Sequence, residues 1–330
     1  MSVDDEKANA GLGQCKSLHT LDIYGTKVTT KGVEMALENL PDLKDFDCEY
    51  QIQVLAEMLR GPSRKNLRCL PNLTFLRNNG SKRVQLCKRG DIELVAATCS
   101  SVNKVHIDVW FIEKEEIADA TILEFKKLKR LCELRFEGRR YGLTFNGGIL
   151  PLLKHFSNSL TSLSFKLFDT LVNVRAIIEH CTELQTLNIS WCNISPHERL
   201  EDEPNPSKRL KANLVLENLK TLKLDNCLNL TTEDLDLLLA SPALEELSLR
   251  FIDLTIDDSL RKAANLHQFR NLQFLKFRGI RVTKVGIDLF MNENNPLKLV
   301  NLVVLGLKEE CVKECLRVIR EKNWDVRFCY

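Results

Sequence analysis

Residues 216–239 read LENLKTLKLDNCLNLTTEDLDLLL. Apolar residues fall at Leu216, Leu219, Leu222 and Leu224, and Leu222 and Leu224 flank Lys223 as on a short strand with one buried face. Cys227 and Leu230 follow, and then Thr231-Thr232-Glu233-Asp234 opens a leucine-rich helix. A threonine hydroxyl suits the orphan N–H groups of a helix start, and acidic residues suit its first turn. One strand and one helix in so short a stretch cannot bury their apolar faces alone. The rest of the chain must supply neighbours of the same kind.

The frame L-x-x-L-x-L recurs at Leu18-Leu21-Ile23, Leu43-Phe46-Cys48, Leu73-Leu76-Asn78, Val102-Val105-Ile107 and Leu131-Leu134-Phe136. It continues at Leu160-Leu163-Phe165, Leu184-Leu187-Ile189, Leu244-Leu247-Leu249, Leu272-Leu275-Phe277 and Leu302-Leu305-Leu307. Its middle residue advances by about 28 positions per repeat, within the leucine-rich-repeat range. The expected fold is an α/β leucine-rich-repeat solenoid, a horseshoe of parallel inner strands and outer helices with about eleven repeats. Residues 1–14, polar and small, read as a mobile tail, and 15–330 as the repeat domain. The longest gap between frames lies from Leu187 to Leu222, and its proline- and charge-rich stretch reads as an insertion loop, 195–213. Residues 309–330, an amphipathic helix followed by an alternating piece, read as a C-terminal cap that completes the chain. The abrupt start at Gln14 shows no such cap, which leads to the expectation of a further segment ahead of it.

A formal net charge of +2 argues against a dedicated nucleic-acid binder. No apolar run is long enough to span a bilayer, and Met1–Glu6 is not a signal peptide. Twelve cysteines are spread over the chain at repeat-related places, which fits reduced thiols in a cytoplasmic or nuclear protein better than a disulfide framework. The basic run Lys208-Arg209-Leu210-Lys211 is too short to count as a nuclear signal and reads as solvated loop.

Cys192 in LNISWCNIS and Cys227 in LKLDNCLNLT stand at the turn that closes the strand, five residues after the middle leucine. Cys15, Cys99 and Cys181 begin CKSL, CSSV and CTEL, a C-x-x-L lead into the strand. In these features the chain resembles the cysteine-containing, F-box type and ribonuclease-inhibitor-like leucine-rich-repeat proteins. That resemblance implies a protein-binding module, often the substrate receptor of a cullin ubiquitin ligase with a cullin-ligase adaptor as second partner. Its other implication is a ribonuclease-inhibitor-like regulator that binds and blocks a partner enzyme. The F-box itself is not legible ahead of the repeats.

No enzyme, metal or cofactor signature stands out. There is no C-x-x-C pair, Cys311 and Cys315 read as the core side of a cap helix, and His180-Cys181 are neighbours in sequence that seldom face each other. Asn146-Gly147-Gly148 lacks the Lys-Ser or Lys-Thr of a phosphate loop. The remaining candidate is the concave strand face. It is acidic at the start, with Asp22, Asp45, Asp47 and Glu49, and basic towards the end, with Lys223, Arg250, Lys276, Arg278 and Lys308. Trp191, Phe251 and Phe274 accompany the basic stripe. Aromatic and arginine side chains commonly anchor interfaces, and such a stripe suits an acidic or phosphorylated protein segment. A neutral chain with an acidic start makes nucleic acid the poorer fit.

Overall fold

The structure, a computed structural model, describes residues 15–23, 26, 28–43, 45–48, 51–61, 75–80, 90–99, 102–109, 119–138, 143–168, 170–195, 214–267, 269–291, 297–305, 308–321 and 327–329. The expected tail 1–14, most of the insertion loop and Glu49 lie outside the described residues. The chain divides into two compact units, Met1–Leu160 and Thr161–Tyr330.

In the first unit, strands alternate with short helices. The order is β1 (Thr20–Asp22), α1 (Thr30–Asn39), β2 (Asp45–Asp47), α2 (Gln51–Arg60), β3 (Phe75–Gly80), α3 (Asp91–Thr98) and β4 (Lys104–Val109). Then come α4 (Asp119–Leu123), β5 (Glu133–Glu137) and α5 (Leu150–His155). β1 pairs with β2, β3 with β4 and β4 with β5, all parallel, with Leu21 opposite Phe46, Leu76 opposite Val105, and Val105 opposite Leu134.

The second unit holds β6 (Ser162–Lys166), α6 (Val174–His180), β7 (Thr186–Ser190), β8 (Thr221–Asp225), α7 (Thr232–Leu239) and β9 (Glu246–Arg250). It continues with α8 (Asp257–His267), β10 (Phe274–Arg281), α9 (Lys284–Asp288), β11 (Leu299–Leu305), α10 (Glu309–Glu321) and β12 (Arg327–Cys329). Its seven strands lie side by side in chain order and all pair in parallel. Leu163, Leu187, Leu222, Leu247 and Leu275 stand opposite one another in succession, and each is wholly buried. This stack, with Phe165, Ile189, Leu224, Leu249 and Phe277 beside it, forms the core between strands and helices. Each strand–helix unit thus buries its apolar face on its neighbours, which is the leucine-rich-repeat arrangement.

Two backbone devices hold the register. At each strand start, two successive N–H groups donate to one carbonyl of the preceding strand. Gln185 and Thr186 use Thr161, Lys220 and Thr221 use Gln185, Glu245 and Glu246 use Lys220, and Gln273 and Phe274 use Glu245. At the strand end one residue turns left-handed: Gly138, Leu167, Trp191, Asn226, Phe251 and Gly279, with φ from 49° to 106°. From there Leu167, Trp191, Asn226 and Phe251 each donate an N–H to the next strand, at 2.7–2.9 Å.

The same device corrects the last expected frame. Lys298 and Leu299 donate to Gln273, which places Val300, not Leu305, opposite Leu275. The frame is Leu297-Val300-Leu302, all buried, while Val303 is 49% exposed. Residues 297–307, LKLVNLVVLGL, fit the frame twice, at Leu297-Val300-Leu302 and at Leu302-Leu305-Leu307, and backbone pairing selects between them. Asn301 and Val303 therefore take the strand-face positions of this repeat, where Lys308 was expected. Lys308 lies instead just ahead of α10, outside the stripe. β12 pairs in parallel with β11.

Helix starts follow the threonine signal. Thr231 Oγ1 accepts the N–H of Asp234, whose carboxylate accepts the N–H of Thr231 in return, a capping box. Thr29, Thr144, Asn173 and Thr283 cap α1, the turn before α5, α6 and α9. Among the described residues no helix is long and apolar enough to cross a membrane.

Candidate functional site

On a strand with the frame residue buried, the residues one before, one after and three after it share the opposite face. In register across β8, β9, β10 and β11 this face reads Thr221-Lys223-Asp225, Glu246-Ser248-Arg250, Phe274-Lys276-Arg278 and Leu299-Asn301-Val303. The left-handed residues Trp191, Asn226, Phe251 and Gly279 line the strand ends just beyond it.

Three of the expected site residues meet at those ends. The Phe251 ring lies between two guanidinium groups, with Arg278 Cζ at 5.6 Å and Arg250 Cζ at 5.8 Å from its centroid. Such cation–π contacts are worth about 0.5–1 kcal/mol at exposed sites. Gly279 makes room for the ring, since a Cβ there would stand 2.5 Å from Phe251 Cδ1. Arg250 also pairs with Asp225 at 3.2 Å. Among the described residues, no carboxylate lies within ion-pair distance of Arg278.

The other basic residues are placed differently. Lys223 and Lys276 both reach Glu246, at 3.0 and 3.2 Å, so this carboxylate offsets one of the two charges in the middle of the stripe. Glu246 stands one residue before its frame leucine, at a solvent-facing position that carries no period in the sequence. That position shares the same face. Phe274 stands beside Glu246 at the strand starts, away from Phe251, and is 37% exposed. Trp191, at the end of β7, is 52% exposed. Leu228, 56% exposed, donates its N–H to Cys192 and accepts from Ile194, which sets it beside the segment that carries Trp191. Leu228 gives no periodic signal, since it lies in the turn after the strand.

The thiols are structural. Cys192 Sγ donates to Ser190 O at 3.2 Å and Cys227 Sγ to Ile189 O at 3.3 Å, both buried in the turns where the cysteine pattern put them. Phe168, Ile252 and Ile280 fill the equivalent position in other repeats with apolar bulk. Burial pushes the Cys181 thiol up to about 12 and the Cys227 thiol far above its ordinary range. Both stay protonated near neutral pH, which makes Cys181 a poor nucleophile beside His180. The glycines of Asn146-Gly147-Gly148 surround a carboxylate of the chain itself: Asp119 accepts from Thr144 N at 2.8 Å and from Thr144 Oγ1 at 2.7 Å. A Cβ on Gly147 would collide with that carboxylate.

No family model and no curated protein matches the chain. Among solved structures it is similar to a chain of the crystal structure of the Rad7 and Elc1 complex in yeast. The identity is 13%, the match covers 98% of this chain and 86% of that one, and the TM-score is 0.44. It is also similar to a chain of the TLR13–ssRNA13 complex, with 14% identity, 96% and 53% coverage and a TM-score of 0.42. The chain spans about half the length of the latter. The repeat architecture rests on the register and burial of this chain's own strands.

Proposed function

We propose that this chain is a non-catalytic protein-binding scaffold and the substrate-recognition part of a cullin-type ubiquitin ligase. The observation that carries the binding role is the Arg250–Phe251–Arg278 cluster, exposed on strand ends that the core does not need for packing. Aromatic and arginine side chains set together on a rigid element are what an interface anchor requires. The cysteine-bearing turns at Cys192 and Cys227 favour the ligase branch of the resemblance. The protonated, buried thiols suit the reducing compartments, cytosol or nucleus, proposed for it.

Affinity purification of the tagged chain from its own cells, with mass spectrometry, tests both parts. A variant carrying R250E, K276E and R278E is run in parallel. Recovery of a cullin and adaptor together with variant-sensitive partners is the expected result. A single stoichiometric enzyme without ligase components would replace the ligase role with that of a regulator that blocks the enzyme. Partners indifferent to the variant would remove the site from this face.

A further inference from the structure

The strand ends of the second unit carry two unusual features together. Trp191 and Phe251 hold left-handed φ values of 57° and 51°, a conformation that disfavours bulky side chains, and both rings are exposed rather than packed in the core. The left-handed turn belongs to the repeat and recurs at Leu167 and Asn226, but at these two ends it carries a large ring and presents it to solvent. Between and beside them stand Leu228, exposed and apolar, and Arg278, whose guanidinium rests on Phe251 with no carboxylate in reach among the described residues.

Charge decides the kind of occupant. Arg250 is already matched by Asp225, while Lys223 and Lys276 share the one carboxylate of Glu246, so the face keeps two unmatched positive charges, one between the lysines and one at the strand ends on Arg278. One carboxylate balances the charge at the strand ends. A nucleic-acid backbone carries a charge at every step, and two unmatched cations would leave most of its phosphates on this face unpaired. Spacing sets the length. β7 to β10 are three strand steps, roughly 14 Å, and an extended peptide covers that in about four residues.

Resting on the scaffold reading, we infer that the ends of β7–β10 bind an extended acidic protein segment running across the strands. One Asp or Glu carboxylate of that segment sits on Arg278. Its backbone crosses Phe251, and an apolar side chain four residues away lies on Trp191 and Leu228. Glu246 acts against this occupant, since it lies on the same face and holds two lysines that would otherwise draw the acid.

The test is display selection of random twelve-residue peptides on the full chain, followed by fluorescence anisotropy of the enriched peptides. Enriched peptides should carry Asp or Glu four positions from an aromatic or aliphatic residue. Arg278→Ala and Trp191→Ala should each weaken them about tenfold, the loss of one anchor contact. Glu246→Gln should tighten them, and thermal melts should show all three variants folded. Enriched peptides without an acid, peptides indifferent to Arg278→Ala, or no enrichment would overturn the inference. So would a single-stranded RNA probe that binds with the same sensitivity to Arg278 and Trp191. Native partners that depend on Arg278 while selected peptides lack the acid would leave the scaffold reading standing and remove only the acidic segment.

Discussion

Trp191 shows how a single residue can serve the fold by its backbone and something else by its side chain. Its N–H donates to Asp225 O at 2.7 Å and holds the strand end, while the indole stands in solvent. Trp191→Gly should relieve a left-handed cost of roughly 1–2 kcal/mol. Part of that gain, about 0.5–1 kcal/mol, is lost to the greater freedom of glycine in the unfolded chain. Chemical denaturation should therefore find the variant as stable as the parent or slightly more so, with partner capture reduced. A clear loss of stability would mean that the ring packs structurally. Cys192 and Cys227 make the opposite case, with side chains buried and hydrogen-bonded within the fold. Native alkylation followed by peptide mapping should label exposed Cys15 and half-buried Cys132 and Cys311 before buried Cys181, Cys192 and Cys227. Unfolded thiols ionise near 9.0, whereas Cys181 holds its proton to about 12. Through that window the unfolded state loses protons that the native state keeps, so the contribution of Cys181 should be constant below about pH 8, and stability should fall above pH 9. The cysteine turns were legible because hydrogen-bonded burial at a fixed offset leaves a pattern. Glu246 was not, because solvent-facing positions are free to vary and carry no period.

At the scale of elements, a helix start is held by the repeat before it. Asp257, at the first turn of α8, accepts Thr283 N at 3.1 Å, Thr283 Oγ1 at 2.9 Å and Gly286 N at 2.9 Å, all from α9 or its cap. Asp119 does the same for Thr144, and in both places a glycine three residues after the threonine leaves room for the carboxylate. Asp257→Ala strands several donors and should cost about 2–4 kcal/mol. Gly286→Ala should also destabilise, although alanine is the better helix former by about 1 kcal/mol. Its Cβ would stand 2.5 Å from Asp257 Oδ1. Thermal melts of the two variants check this, and a stabilising Gly286→Ala would show that the carboxylate does not fill that space. The threonine half of this device could be read from sequence. The aspartate half could not, because it joins residues a full repeat apart. The last strand is ambiguous for a related reason: Leu297-Val300-Leu302 and Leu302-Leu305-Leu307 both satisfy the frame, and only pairing to Gln273 distinguishes them.

For the molecule as a whole, the fold was legible and the partner was not, and one cause explains both. Each repeat must bury its frame residues on the next, so Leu163, Leu187, Leu222, Leu247 and Leu275 repeat in sequence as they stack in space. Residues on the other face answer to a partner and not to one another, so their grouping around Phe251 emerges only once the strands are in register. The proposed role has a protein partner on those strand ends. It is tested most directly by placing a photoreactive phenylalanine analogue at position 251 or at position 266, in the full chain, in the cells that make it. Leu266 is an exposed control on α8, 69% accessible. The account predicts discrete protein crosslinks from position 251 and none of the same species from position 266. Crosslinks from 266 alone, or the same species from both positions, would contradict it.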